Sequence, residues 1–213
     1  EPGIGELAAR AKAHGATVNG MIAAAALQAA SSLFDEDADR TIVLSTPADL
    51  RSLAEPPIDG GFFGVAVGLL SSPYVVRSGA ESGLARQISE QTRREVQRGE
   101  AHLFYRLARA SAHSADAKGV AAFRDWFEHS TPDSIAVSNM GRIDDAGDPS
   151  FVRSVTAVMS PSSNQVAFLS VSTYRGKLLI NVMTDAAKLP PEYADALVDG
   201  VATRLGATRR WAR

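Results

Sequence analysis

The stretch Val18-Asn19-Gly20-Met21-Ile22-Ala23-Ala24-Ala25-Ala26-Leu27-Gln28-Ala29-Ala30 is apolar on nearly every side when wound as a helix. Such a helix has no face to give to water, so it demands cover from several directions. Thr17 stands before it as a suitable N-cap, and its small residues allow other backbones to approach closely. An amphipathic helix over Gly3 to His14 precedes it, with Leu7, Ala8 and Ala11 on one stripe and Gly15 as its stop. The remaining chain must supply the layers that bury Val18 to Ala30. With 213 residues, 45% of them hydrophobic and 22% charged, it can build a full core without staples.

Downstream, Thr41 to Thr46 reads as a strand ended by Pro47, and Phe62 to Leu70 as an apolar strand buried on both faces. Between them, Pro56-Pro57-Ile58-Asp59-Gly60-Gly61 is a loop. Helices are predicted over Ala80 to Gln97, with Leu84 and Ile88 inward, over Ala101 to Ala110, with Leu103, Phe104 and Leu107, and over Val120 to His129, with Phe123, Trp126 and Phe127 packed. Strands follow at Ser134 to Ser138, Ser154 to Met159, Val166 to Tyr174 and Lys177 to Thr184. Arg175-Gly176 joins the last two as a hairpin. Pro191 to Leu205 is a closing helix with proline in its first turn. No repeat or linker divides the chain. The grouped strands imply an α/β layer arrangement, and they argue against an eight-unit barrel and a simple dinucleotide fold.

Several chemistries are excluded. There is no cysteine, hence no disulfide, thiolate metal site or cysteine nucleophile. A net charge of −2 gives no electrostatic footprint for nucleic acid. No apolar run approaches the roughly 20 residues that span a bilayer, so no membrane span and a cytoplasmic location are expected. Gly3-Ile4-Gly5-Glu6-Leu7-Ala8 has the outline of a dinucleotide loop but lacks a preceding strand. Asp35, Asp37 and Asp39 alternate like the start of a calcium loop, yet Arg40 replaces its glycine and no glutamate closes it. There is neither a Walker loop nor a serine nucleophile elbow. His14, His102, His113 and His129 lack metal-ligand spacing; His102 and His113 could face one another, or sit at the surface. None stands among residues that would make it a general base. By its own chemistry the chain is catalytically incomplete.

Three phrases stand in order: Ala48-Asp49-Leu50-Arg51 after a strand, Gly60-Gly61-Phe62-Phe63-Gly64, and Val137-Ser138-Asn139-Met140-Gly141-Arg142-Ile143. With the helix opening Thr17-Val18-Asn19, they resemble the C-terminal half of chloramphenicol acetyltransferase-like acyltransferases. Among these, the chain is most similar to the phthiocerol/phthiodiolone dimycocerosyl transferases and related polyketide-associated enzymes; condensation domains and plant BAHD acyltransferases are more distant relatives. The resemblance covers essentially all of residues 1–213. It implies a two-layer, mixed-sheet α/β sandwich forming one half of a two-lobed enzyme. The catalytic His-His-x-x-x-Asp-Gly motif belongs to the other half and does not occur here. Because the chain starts at Glu1 rather than methionine, it is read as an internal or C-terminal piece of something longer. The excess of arginine over lysine, 18 to 4, fits a GC-rich, actinobacterial kind of source.

The activity implied is acyl transfer from a thioester, on coenzyme A or an acyl carrier protein, to a hydroxyl or amine, with no permanently bound cofactor and no metal. The implied partners are the N-terminal half and an acyl carrier protein or polyketide synthase. Arg51 matches the arginine that pairs with the aspartate of the other half's histidine motif, a role for which a planar fork suits better than an ammonium; a surface arginine at a strand end is the alternative. Ser138, Asn139 and Gly141 occupy the place of the plant Asp-Phe-Gly-Trp-Gly motif, either as a structural turn or as a substrate contact through Asn139. Gly64 is expected to let backbone pass close to the tunnel, and Val65 departs from the asparagine common there in plant enzymes. A non-catalytic binding module on the same fold is the competing reading, and an unrelated α/β domain is a third.

Overall fold

The computed structural model describes residues 3–207 apart from 35–38, 63, 78–80, 104, 107–116, 131 and 144–150. Two helices, α1 (Ile4–Ala13) and α2 (Val18–Ser31), lead into strand β1 (Arg40–Asp49) and a 3-10 turn, Arg51–Leu53. Strand β2 (Val67–Val76), helix α3 (Glu81–Gln97), a second 3-10 turn, Glu100–His102, and helix α4 (Ala117–Ser130) follow. Strands β3 (Ser134–Ile143), β4 (Gln165–Tyr174) and β5 (Lys177–Thr184) precede the last helix, α5 (Pro191–Leu205). The five strands form one sheet in the order β2-β1-β3-β4-β5. β1, β3 and β4 run parallel, and the edge strands β2 and β5 run antiparallel to their neighbours.

Helix α2 is covered as its composition demands. Ile22 to Ala30 are all buried. Gly20 meets α3: an added Cβ would lie 2.7 Å from the Ala85 carbonyl oxygen. On α5, a Cβ at Gly200 would lie 2.9 Å from the Ala29 methyl carbon. Residues 20 and 29 are half a turn out of phase at 100° per residue, so α3 and α5 flank opposite sides of α2. A further face of α2 rests on the sheet, where Leu44, Tyr74, Val76, Ile135, Val137, Leu169 and Val171 join the same core. The N-cap is Thr17, whose hydroxyl accepts from the Gly20 N–H at 3.0 Å and also contacts Ser89 Oγ at 3.1 Å. At the other end of the layer, Arg10 donates to the carbonyls of Arg204 and Leu205, both at 3.0 Å, satisfying the last turn of α5.

Four expectations need correction. Pro47 does not end β1, which continues to Asp49 opposite Leu69 to Val67 of β2. Pairing with β3 is confined to Val43 to Ser45, so beyond Ser45 one edge of β1 is open and the missing proline N–H costs no ladder bond. The strand expected over Phe62 to Leu70 begins instead at Val67 and is buried on alternate residues, as befits a strand whose helix-facing side alone is covered. The helix expected over Ala101 to Ala110 opens instead as the 3-10 turn Glu100–His102 and is helical at Leu103, Tyr105 and Arg106; Phe104 and Leu107 lie outside the described residues, as do the side chains of Phe123, Trp126 and Phe127. The expected strand Ser154 to Met159 has no place in the sheet, because β4 is already paired on both edges. That segment lies instead on the face opposite the helices. Ser172 Oγ donates to the Val155 carbonyl at 2.9 Å, Asn181 Nδ2 to the Ala157 carbonyl at 3.1 Å, and Ser170 Oγ also to Ala157.

The hairpin and the start of the closing helix are as expected. Arg175 and Gly176 both have positive φ, 47° and 74°, the geometry of a two-residue hairpin loop. Pro191 opens α5 as expected; Gly206, not singled out in the sequence, closes it in the left-handed region. No helix among the described residues is long and apolar enough to cross a membrane.

Tyr74 gives the fold a pH signature. Burial, and next the Glu95 carboxylate, push its hydroxyl up to about 12. Glu95 is buried too, its Oε1 accepting from Ser72 Oγ at 2.6 Å and Gln91 Nε2 at 2.9 Å. In the unfolded chain the phenol ionises near pH 10, so between about 10 and 12 the folded state holds a proton that the unfolded state has lost. Stability therefore falls as pH rises through that window. Urea midpoints between pH 9 and 12 should decline less steeply in Tyr74→Phe than in the wild type; parallel declines would refute the assignment.

Candidate functional site

The parallel run of β1 and β3, with β2 antiparallel, brings the ends Asp49, Val67 and Ile143 out at one end of the sheet. Past Ser45 and Ala136 the β1–β3 pairing stops. The residues singled out by sequence stand on the two sides of this parting: Arg51 and Gly64 on the β1/β2 side, Ser138, Asn139 and Gly141 on β3. Open α/β sheets commonly bind ligands beyond the carboxyl ends of their strands.

Arg51 begins the 3-10 turn directly after β1. Asp49, the last residue of that strand, shapes the turn. Its Oδ1 accepts from the Arg51 backbone N–H at 3.0 Å and from Arg51 Nη1 at 3.2 Å. A short carboxylate reaching its own backbone two residues on is a common turn device. The Arg51 carbonyl accepts from the Ile58 N–H at 2.9 Å, and the Leu50 N–H donates to Ala66 at 2.8 Å, so the loop before β2 is laced to the turn. Arg51 Nη2 reaches the Gly64 carbonyl at 3.4 Å. Arg51 Nε is shielded from solvent and meets no acceptor among the described residues.

Sequence reasoning named Arg51 and missed Asp49, although both sit in one Asp-Leu-Arg phrase. The signal was the spacing itself. Gly64 joins the same group through its carbonyl, and its close neighbour is local: an added Cβ would lie 2.3 Å from Phe62 Cε1. Across the parting, Asn139 Oδ1 accepts from the Gly141 N–H at 2.9 Å. Gly141 has φ 72°, and the register of β3 slips between Asn139 and Arg142. The Asn139 side chain thus bonds to the backbone at the irregularity in β3. Ser138 is half-buried opposite Ser170 of β4.

Phe62, Val65, Val67 and Met140 are exposed around this end and give it an apolar rim. Phe63 lies outside the described residues, as do His113 and the side chain of His129. Among the described residues, no group of three His, Cys, Asp or Glu is placed to hold a metal ion. A separate cavity of about 350 Å³ lies between α2 and α3, lined by Thr17, Asn19, Ile88, Thr92 and Val96 among others; none of the predicted site residues lines it.

The fold has relatives among solved structures. Over 93% of its length the chain superposes on polyketide synthase associated protein 5 from Mycobacterium tuberculosis, with a TM-score of 0.57 and 16% identity, covering 47% of that protein. It superposes over 95% of its length on the epimerization domain from the third module of tyrocidine synthetase B, with a TM-score of 0.61 and 12% identity, covering 43% of that chain. A third, PapA2 acyl transferase, gives 0.52 at 17% identity, with 93% of this chain matched to 41% of that one. At such identities these likenesses establish the fold, that of the condensation and acyltransferase domains. The chain spans less than half the length of each of these three structures. No curated protein sequence matches it. The sequence profile described as the phthiocerol/phthiodiolone dimycocerosyl transferase C-terminus matches residues 5–183. The chain therefore belongs to the family of phthiocerol/phthiodiolone dimycocerosyl transferase C-terminal domains.

Proposed function

We propose that this chain is the C-terminal half of an acyltransferase that moves an acyl group from a thioester to a hydroxyl or amine. The donor is acyl-coenzyme A or an acyl carrier protein, and the reaction takes place in the cytoplasm. The other half supplies the histidine. That histidine takes the acceptor's proton as the acceptor oxygen or nitrogen attacks the thioester carbonyl. The tetrahedral oxyanion is held by fixed donors. Collapse breaks the C–S bond and the thiolate leaves with the proton, giving free thiol and acylated acceptor. This half contributes one wall of the substrate passage and Arg51, whose guanidinium holds the aspartate of the histidine loop.

The observation that carries this reading is Arg51 itself. It stands where β1 and β3 part, its two Nη groups are already anchored, and its Nε is a shielded donor with no acceptor among the described residues. A buried unpaired donor is costly, and a carboxylate from a second lobe would relieve it. The exposed apolar rim of Phe62, Val65, Val67 and Met140 is surface that a second lobe would cover.

The test is reconstitution. Thioester consumption is measured with the purified chain, with a separately produced lobe bearing His-His-x-x-x-Asp-Gly, and with both. Turnover is expected only in the mixture, alongside a one-to-one complex in light scattering. Turnover by this chain alone would overturn the division of labour, and a stable but inactive complex would favour the binding-module reading.

A further inference from the structure

We infer that Asp49 is a positioning residue, which sets the guanidinium of Arg51 so that its Nε edge is left for an incoming carboxylate. The inference rests on the proposed role of Arg51 and adds a residue to it. One oxygen of Asp49 accepts two N–H groups of the same residue, the backbone N–H at 3.0 Å and Nη1 at 3.2 Å. The main chain and the far end of the arginine are thus tied to a single point, and the several rotamers open to a free arginine are reduced. The Gly64 carbonyl takes Nη2 at 3.4 Å from the other side. With Nη1 and Nη2 anchored, Nε is the donor that no described residue matches. Asp49 is itself well exposed, 64% against 29% for Arg51. A pair this open contributes little to the stability of the chain, so orientation is the larger consequence of its geometry.

The experiment uses Asp49→Asn, which keeps an oxygen for the backbone turn and removes the charge that draws Nη1. In the reconstituted enzyme kcat should fall about tenfold with KM within about twofold, as expected when a reacting loop is misplaced while substrate binding is left intact. In an Arg51→Ala background the same change should alter kcat by less than about twofold, because the two residues act as one unit. Wild-type kcat in Asp49→Asn, or an equal loss in both backgrounds, would overturn the inference. Wild-type kcat in Arg51→Ala would instead overturn the role given to Arg51. A measurement on this chain alone separates the two: nitrogen NMR of the Arg51 guanidinium should show slow rotation about the Cζ–Nη1 bond in the wild type and faster rotation in Asp49→Asn. Equal rates would refute the positioning by Asp49 whatever the kinetics show.

Discussion

Gly68→Ala is expected to destabilise the chain by about 3 kcal/mol, at the upper end of what overpacking a well-filled site costs. On β2, a Cβ at residue 68 would lie 2.2 Å from the carbonyl oxygen of Ala101 and 2.8 Å from its carbonyl carbon. Those are backbone atoms of the Glu100–His102 turn, and no rotamer change removes them. Either the turn lifts from β2 or the strand bends. Lifting would uncover Leu50, Leu70 and Ala101, a small buried cluster joined to the Arg51 turn through Leu50, which precedes it. It would also strain the bond from the Val67 N–H to the Tyr105 hydroxyl, 3.2 Å long, at the start of β2. For a chain of this size the loss corresponds to a melting temperature lower by about 6–12 °C. Gly5→Ala is the control. Nothing lies within 4 Å of a Cβ there, the residue is in α1, and a small gain in stability is expected. Equal melting temperatures for Gly68→Ala and the wild type would show that the turn is not seated on β2 as described.

Much of the helical layer was legible because its signals are local. Thr17 before an all-apolar run, Gly15 as a stop, and Pro191 at a first turn each act through their own backbone. The Arg175-Gly176 hairpin is of the same kind. The misreadings have a common origin in tertiary partners. Pro47 is a breaker only where its edge needs a donor, and the short pairing of β1 with β3 could not be read from residues 41–47. Ser154 to Met159 has the composition of a strand, but its place was taken by β3 and β5 on either side of β4. Hydroxyls of Ser170 and Ser172, spaced two apart on one face of β4, hold it against the sheet instead. In the site, the order of the three phrases and the resemblance they carry pointed to Arg51. Periodicity cannot say which oxygen a guanidinium will meet, and so Asp49 went unread beside it.

Arg51 carries the second large effect, and the contrast between the lone chain and the assembled enzyme makes it informative. In the chain alone, Arg51 is 29% exposed and its ion pair is with an open Asp49. Exposed pairs are typically worth less than about 1 kcal/mol, so Arg51→Ala should leave the melting temperature of this half within about 3 °C. In the two-lobed enzyme proposed here the guanidinium is covered and faces a second carboxylate. Removing one member of a buried pair costs about 3–5 kcal/mol. If most of that appears as lost orientation of the histidine loop, turnover falls about a hundredfold or more, at 1.36 kcal/mol per factor of ten. Arg51→Lys should be nearly as poor, since a point charge cannot hold Asp49, Gly64 and an incoming carboxylate with one planar fork. Arg86, which makes an exposed pair with Glu90 at 3.8 Å on the outside of α3, provides the silent control. The deciding measurement is kcat of the reconstituted enzyme carrying Arg51→Ala, Arg51→Lys or Arg86→Ala. A loss of about a hundredfold in the first two, with the third at the wild-type value, is the expected result. Wild-type kcat in Arg51→Ala would contradict the claim that this domain serves the reaction through its arginine.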